Sequence, residues 1–480
     1  MPGALTEKDL AHHLERLAEA GRRFAGAYPG ERADRQPVHT VYGGAHLFRA
    51  DIAQRLGASA RQSMAEYAPD FVSFARVIGL AGSERLPRSP QEIEGLARRL
   101  DQGADSVTAA ARLAHTVHAR VTEKLAREPV EDFRVDFEDG FGNRPDEEED
   151  READRVALEL AKGMAAGTLP PFTGFRIKTL SEELGARGLR TLDRVISGTL
   201  QDSGGRLPAN FVVTLPKITD VAQVDVLVTA LEQLERAHGL ASGALRLELM
   251  VETPQSIFAP DGRLALPAFV AAAKGRCRGA HFGTYDYTAS MGVTAAHQLM
   301  HHPACEFARQ VMQVSLAGTG VTLSDGSTTR LPVGPHRASP DGPPLTAAQQ
   351  DENRATVHDA WRMHYDDVRR SLTLGFYQGW DLNPAQLPTR YAALFSFFLE
   401  ARDDAAQRLH RFVERAAQAT LLGNVFDDAA TGQGLLNFFL RGINCGAIRE
   451  EEALATGLTL EEIRGRSFVK ILNARRGAHA

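Results

Sequence analysis

Eight short apolar runs, rich in β-branched and aromatic residues, recur along the chain with amphipathic helical stretches between them. That alternation is the pattern of a parallel sheet covered by helices. The runs are HTVYGGA (39–45), DFRVDFEDG (132–140), GFRIKTL (174–180), NFVVTLPKI (210–218), LRLELMVETP (245–254), GAHFGTYDY (279–287), a weaker GVTLSDG (320–326) and SLTLGFYQGWDL (371–382). Eight strands with helical crossovers close most economically into an α/β fold of the (β/α)8 TIM-barrel type. Their carboxyl ends carry Glu138, Asp139, Arg176, Lys217, Glu252, Asp286, Asp325 and Asp381. In such barrels the chemistry sits on that face.

Helices are expected over 151–166, 219–238 and 297–316. The connection at about 47–128 is far longer than one crossover needs and predicts a helical insertion after the first strand. The Pro- and Gly-rich LPVGPHRASPDGPPLTAAQQ reads as a surface loop. Beyond Pro388 the pattern is helical, broken by a loop at GNVFDDAATGQG (423–434). The expected organisation is an N-terminal helix in 1–36, opened by Thr6, a barrel with its insertion in 37–388 and a helical extension in 389–480.

The 480 residues are 43% hydrophobic, enough for one large core, and the formal net charge of −6 comes without a basic block of the kind that tracks nucleic acid. No nucleic-acid partner is expected. Three scattered cysteines, Cys277, Cys305 and Cys445, make neither a disulfide framework nor a zinc ribbon. No run approaches the ~18 to 20 apolar residues that a bilayer requires, and the amino terminus is not a signal peptide. The expectation is a cytoplasmic protein with no membrane partner.

Two of the strand-end acids stand out. Glu252 and Asp286 are separated by thirty-four residues, the length of strand, loop, helix and next strand. Adjacent parallel strands lie ~4.8 Å apart, so one hard divalent cation, Mg²⁺ or Mn²⁺, can be shared by both carboxylates with positions left for water and substrate. The plainer reading is that both acids cap the helices that follow. Arg176 can hold a planar carboxylate or a developing oxyanion, or bridge across the mouth to Asp139. Glu138 and Asp139 can orient Arg176 or metal-bound water; Lys217 is an anion contact or a rim residue. Asp325 and Asp381 are candidate substrate contacts or general bases, although Asp325 in SDGS also suits a turn.

Other features favour structural roles. His297 and His301 have the spacing of a zinc pair, yet no glutamate completes an H-E-x-x-H motif. The acidic run 146–154 reads as a solvated helix start. The phenylalanines of LFSFFLE and LLNFFLR read as packing residues, with a subunit interface as the alternative.

VDFEDG, GFRIKT, LPKI, VETPQS, FGTYDYTAS and GWDLNPAQL follow in order over residues 38–388. Together they resemble the strand-end motifs of the HpcH/HpaI aldolase and citrate lyase β-subunit superfamily, within the phosphoenolpyruvate/pyruvate-binding barrel class. TVYGGAHLF, GTYDYTAS and SDGSTTRLPVG place the chain near a bacterial branch of it. The resemblance implies metal ligands at Glu252 and Asp286, a substrate-binding arginine at Arg176 and an acidic pair at Glu138 and Asp139. It also implies a Mg²⁺-dependent carbon–carbon lyase, or a Claisen- or aldol-type enzyme, acting through an enolate on a small 2-oxo acid or a coenzyme A thioester, and a homo-oligomer whose C-terminal helices cap neighbouring sites. Asn383 departs from the histidine that usually precedes the proline after the eighth strand. Two rivals stay open: a phosphoenolpyruvate/pyruvate phosphotransferase, against which stands the lack of a G-x-x-x-x-G-K-[ST] loop, and a non-catalytic metabolite-binding barrel.

Overall fold

All eight runs contain a strand. In a computed structural model that describes residues 7–478 apart from 31, 33, 105, 339–341 and 419–428, these strands pair in parallel, each with the next, into a closed barrel. They are β1 (His39–Gly44), β2 (Asp132–Asp136), β3 (Phe172–Arg176), β4 (Val212–Leu215), β5 (Arg246–Val251), β6 (Cys277–Phe282), β7 (Thr322–Ser327) and β8 (Gln378–Asp381). Closure is made where His39 of β1 stands opposite Gly379 of β8. Thr6, the expected helix opener, lies outside the described residues, as does the expected 423–434 loop up to residue 428. From Ala429 that loop is helix instead.

The period of two explains which side chains reach the lumen. Along β2, Phe133 and Val135 are buried in the apolar layer under the helices, whereas Arg134 reaches across the lumen to Glu248 of β5 at 2.8 Å. Arg134 also pairs with Asp132, whose other oxygen accepts from Thr40 Oγ1 at 2.7 Å. The barrel interior is therefore a charged, hydrogen-bonded network. Such a network tolerates burial only when every member is paired.

The expected insertion consists of four helices, Ile52–Tyr67, Phe71–Ile78, Pro90–Asp101 and Ala109–Arg127. Asp70 starts the second by accepting from the amides of Val72 and Ser73, both at 2.9 Å. The C-terminal helix Leu387–Gln418 packs on Ala109–Arg127, and Tyr391 Oη donates to the Pro129 carbonyl at 3.0 Å. Phe398 and Phe438 sit 5.1 Å apart between rings, so these aromatics pack on one another within the chain.

Three local expectations need correction. The run 371–382 is not one strand: its first residues finish the helix Ala347–Thr373, and Gly375, at φ +86°, breaks the chain away before β8. The helix expected from 297 starts at Pro303, with the His302 ring accepting from the Ala304 amide at 3.2 Å. His297 lies in a separate short turn, so it shares no helix face with His301. The acidic run does open a helix, Asp146–Ala166, but it is only partly solvated. Glu149 and Asp150 are buried against Arg187, because the neighbouring helix Gly185–Asp202 supplies cations there. No described helix is long and apolar enough to cross a membrane.

Candidate active site at the carboxyl end of the barrel

The carboxyl ends of β2 to β6 bring Asp136, Glu138, Asp139, Arg176, Lys217, Glu252 and Asp286 into one cluster. Asp136 and Arg176 are register partners at the ends of β2 and β3. The guanidinium donates to both oxygens of Asp136, from Nε at 2.7 Å and from Nη2 at 2.6 Å. The amides of Glu138 and Gly140 also donate to Asp136, at 3.0 and 2.8 Å. One carboxylate thus shapes the acidic turn and aims the arginine. The Arg176 carbon lies 5.0 Å from the Tyr42 ring centre and 6.0 Å from that of Trp380, so two aromatic faces hold the fork in position. Glu138 and Asp139 lie farther from the same guanidinium, at 3.3 and 3.6 Å. Asp136, which the sequence reading missed, is the close bidentate partner of Arg176, and the expected Asp139 is a longer ion pair of the same guanidinium. The signal was present in VDFEDG: only the register shows which of three acids faces the arginine.

Lys217 follows β4 with φ at +49°, a left-handed conformation uncommon for a long side chain. In that conformation its amide donates to Glu252 Oε1 at 2.7 Å, while its ammonium reaches Glu138, Asp139 at 2.9 Å and Asp286 Oδ1 at 3.8 Å. Lys178 Nζ supports the acidic turn from below, donating to the carbonyls of Phe137 and Gly142 at 2.9 and 3.1 Å.

Glu252 is 1% exposed. Its second oxygen, Oε2, is buried and has no hydrogen-bond partner among the described residues, nor does the nearby buried Thr284 Oγ1. Gly283 makes room for that oxygen, since a Cβ there would stand 2.6 Å from Oε2. Burial pushes the Glu252 carboxyl up to about 8, with Arg176 opposing and Asp286 adding to the rise. Glu138 is pushed up to about 7, again chiefly by burial, and Asp286 is also raised by burial. Asp139 is lowered: burial works against ionisation, but its bond with Glu138 and the charges of Arg176 and Lys217 prevail. Five carboxylates face two cations in this cluster. The surplus of negative charge calls for protons or for a further cation.

A buried carboxylate with one oxygen vacant, and a second acid beside it, fits a hard divalent cation such as Mg²⁺ or Mn²⁺. The fit is that of a pair completed by water and substrate. Among the described residues no group of three or more His, Cys, Asp or Glu could hold a metal ion.

Asp325 and Asp381 are not brought into the cluster. Asp325 is a strand residue and not a turn-former; it faces outward, where Arg309 at 3.0 Å and Ser371 at 2.6 Å occupy its oxygens. Asp381 is fully buried. Arg390 Nη2 at 2.9 Å and His364 Nε2 at 3.0 Å bind it, and His39 Nδ1 lies 2.9 Å away. Neither presents an oxygen to substrate, because the helices outside β7 and β8 carry cations that claim them. Asn383 accepts from the Ala385 amide at 2.9 Å and so starts the turn Pro384–Gln386.

A family model described as "Domain of unknown function (DUF6986)" matches residues 17–471. No curated protein matches. Among solved structures, a citrate lyase from Burkholderia xenovorans LB400 is 19% identical over 74% of this chain and 94% of that one, with a TM-score of 0.49. Haloferax volcanii malate synthase in a magnesium/glyoxylate complex is 13% identical over 93% of this chain and 98% of its own, with a TM-score of 0.42. The citrate lyase β subunit from M. tuberculosis, complexed with oxaloacetate and magnesium, is 16% identical over 57% of this chain and 91% of its own, with a TM-score of 0.35.

Proposed function

Because the chain belongs to the DUF6986 family, whose description assigns no reaction, its function must be read from the site, and we propose a Mg²⁺-dependent carbon–carbon lyase or Claisen-type enzyme. Its substrate class is a small 2-oxo acid, alone or with a coenzyme A thioester. The observation that carries this reading is the vacant, buried Oε2 of Glu252, adjoining Asp286 and within the field of Arg176.

Glu252 and Asp286 would hold Mg²⁺ or Mn²⁺. When bound, the ion supplies Lewis-acid polarisation of a keto oxygen, lowering the barrier to charge building up there. Arg176, locked by Asp136 and flanked by Tyr42 and Trp380, offers a pre-aimed positive fork for the substrate carboxylate. Lys217 adds a second cation at the rim, held by Glu138 and Asp139. Glu138 is the residue suited to move a proton to or from the carbon next to the carbonyl, since a group with a pKa of about 7 can both accept and donate near neutrality. Asp139, held ionised, keeps the ammonium of Lys217 against Glu138. Asn383 cannot titrate, so acid–base work falls to the β2 turn.

The test is a panel of pyruvate, oxaloacetate and glyoxylate, each with and without acetyl-coenzyme A, assayed for thiol release and oxo-acid consumption with Mg²⁺ or with chelator. Metal-dependent turnover of one combination is expected. No turnover with any combination, together with no Mg²⁺-dependent rise in melting temperature, would remove the proposal.

A further inference from the structure

The opposite end of the barrel is built quite differently. A cavity of about 320 Å³ opens there, bounded by the first residues of several strands, among them Phe172, Val212, Arg246, Thr322 and Gln378. Six arginines line it, Arg32, Arg35, Arg134, Arg246, Arg278 and Arg441, against two carboxylates, Asp34 and Glu248. This concentration of positive charge occurs in a chain whose formal net charge is −6.

Several of these arginines have protein counterions. Arg134 is paired with Asp132 and Glu248, Arg35 with Glu128 and Glu131, and Arg32 with Asp34. Arg246 and Arg278 differ. Both are partly buried, and among the described residues neither has a carboxylate partner; Arg246 donates only to the Gly275 carbonyl, at 3.2 Å. They also oppose each other. Arg278 is lowered by burial and then by the charge of Arg246, and Arg32 is brought to about 10 by burial and then by Arg278 and Arg246.

Like charges half withdrawn from water without a counterion are unfavourable, and no ion pair or apolar packing gains from them. Arginines lining a common cavity match the oxygens of phosphate or carboxylate groups. Phe211, Leu316 and Val321 add apolar wall for a carbon skeleton.

We propose that this floor of the barrel is a second binding site, for a small organic polyanion, held chiefly by Arg246 and Arg278. The shared chemistry is two or more oxyanion charges on a compact body, whether phosphate ester or polycarboxylate. The site is separate from the catalytic mouth, and the proposal does not depend on the reaction assigned there.

The test is calorimetric titration of the full chain at low salt with two probes, pyrophosphate and citrate. Binding of at least one probe is expected. It should weaken tenfold or more in Arg278→Gln, disappear in Arg246→Gln/Arg278→Gln and persist in Arg176→Gln. The probe that binds identifies the phosphate or the carboxylate arm. Should the double variant not fold, Arg278→Lys decides the matter, since it keeps the charge but loses the fork; tenfold weakening supports the site. The proposal is overturned if neither probe binds, if affinity survives the Arg278 variants, or if binding is lost in Arg176→Gln.

Discussion

The Lys217 amide donates to one oxygen of Glu252 at 2.7 Å and leaves the other oxygen buried without a partner. A carboxylate half satisfied by the backbone is fixed in orientation, with its free lone pairs aimed at one place. That is the arrangement a metal ligand needs.

Glu252→Gln keeps the shape and the bond to Lys217 but cannot ionise to meet a cation. Mg²⁺ should then cease to raise the melting temperature, while the metal-free protein melts close to the wild-type temperature, because a carboxyl pushed up to about 8 is already largely protonated at neutral pH. Gly283→Ala should give the same loss of metal response by a different route, since its Cβ would crowd Oε2. Thermal melts with and without Mg²⁺ check both variants. A full metal response in either would refute the assignment.

Arg176→Lys retains the positive charge but cannot span both oxygens of Asp136 or lie flat against Tyr42. Folding should be preserved. kcat/KM for the oxo acid should fall roughly 100-fold, corresponding to about 3 kcal/mol of lost transition-state binding. Steady-state kinetics on the substrate found by the panel measures this.

Asp381→Asn should act on stability and not on chemistry. It leaves Arg390 buried beside a neutral amide, and breaking such a pair costs about 3–5 kcal/mol. Urea unfolding should show that loss, with kcat per folded molecule close to wild type. A selective fall in kcat would instead return Asp381 to the substrate.

Glu235 offers a pH test away from the carboxyl-end cluster, on the side of the barrel floor. Burial acts to raise its pKa, but Arg276 and the amides of Leu245 and Gly243 prevail and hold it at about 2. A carboxyl depressed in the folded state adds stability above its unfolded pKa, near 4.3, and that stability is lost as pH falls towards 2. Urea midpoints of the wild type should therefore decline with acidification through this window. In Glu235→Gln the midpoint should be lower at neutral pH and the decline across the window shallower.

The strand-end acids and Arg176 were legible because each closes an apolar run, and runs are set by local periodicity. Lys217 was legible only as a rim cation; nothing in LPKI shows its left-handed backbone, which is imposed by the turn between β4 and the next helix. The clearest failures, Asp325 and Asp381, have the same cause. A strand's pleat alternates between lumen and exterior, so one residue of register decides which face a carboxylate joins.

Local sequence alone determined the alternation of strands and helices, the number of strands and the chemistry available at each strand end, since these follow from backbone preference and apolar spacing over a few residues. Tertiary structure alone decided which acids share a site. Asp136 meets Arg176 through sheet register, Asp381 is claimed by helices far along the chain, and the arginines beneath the barrel meet only when the strands close. Distances between side chains tens or hundreds of residues apart depend on that closure, which no local pattern encodes.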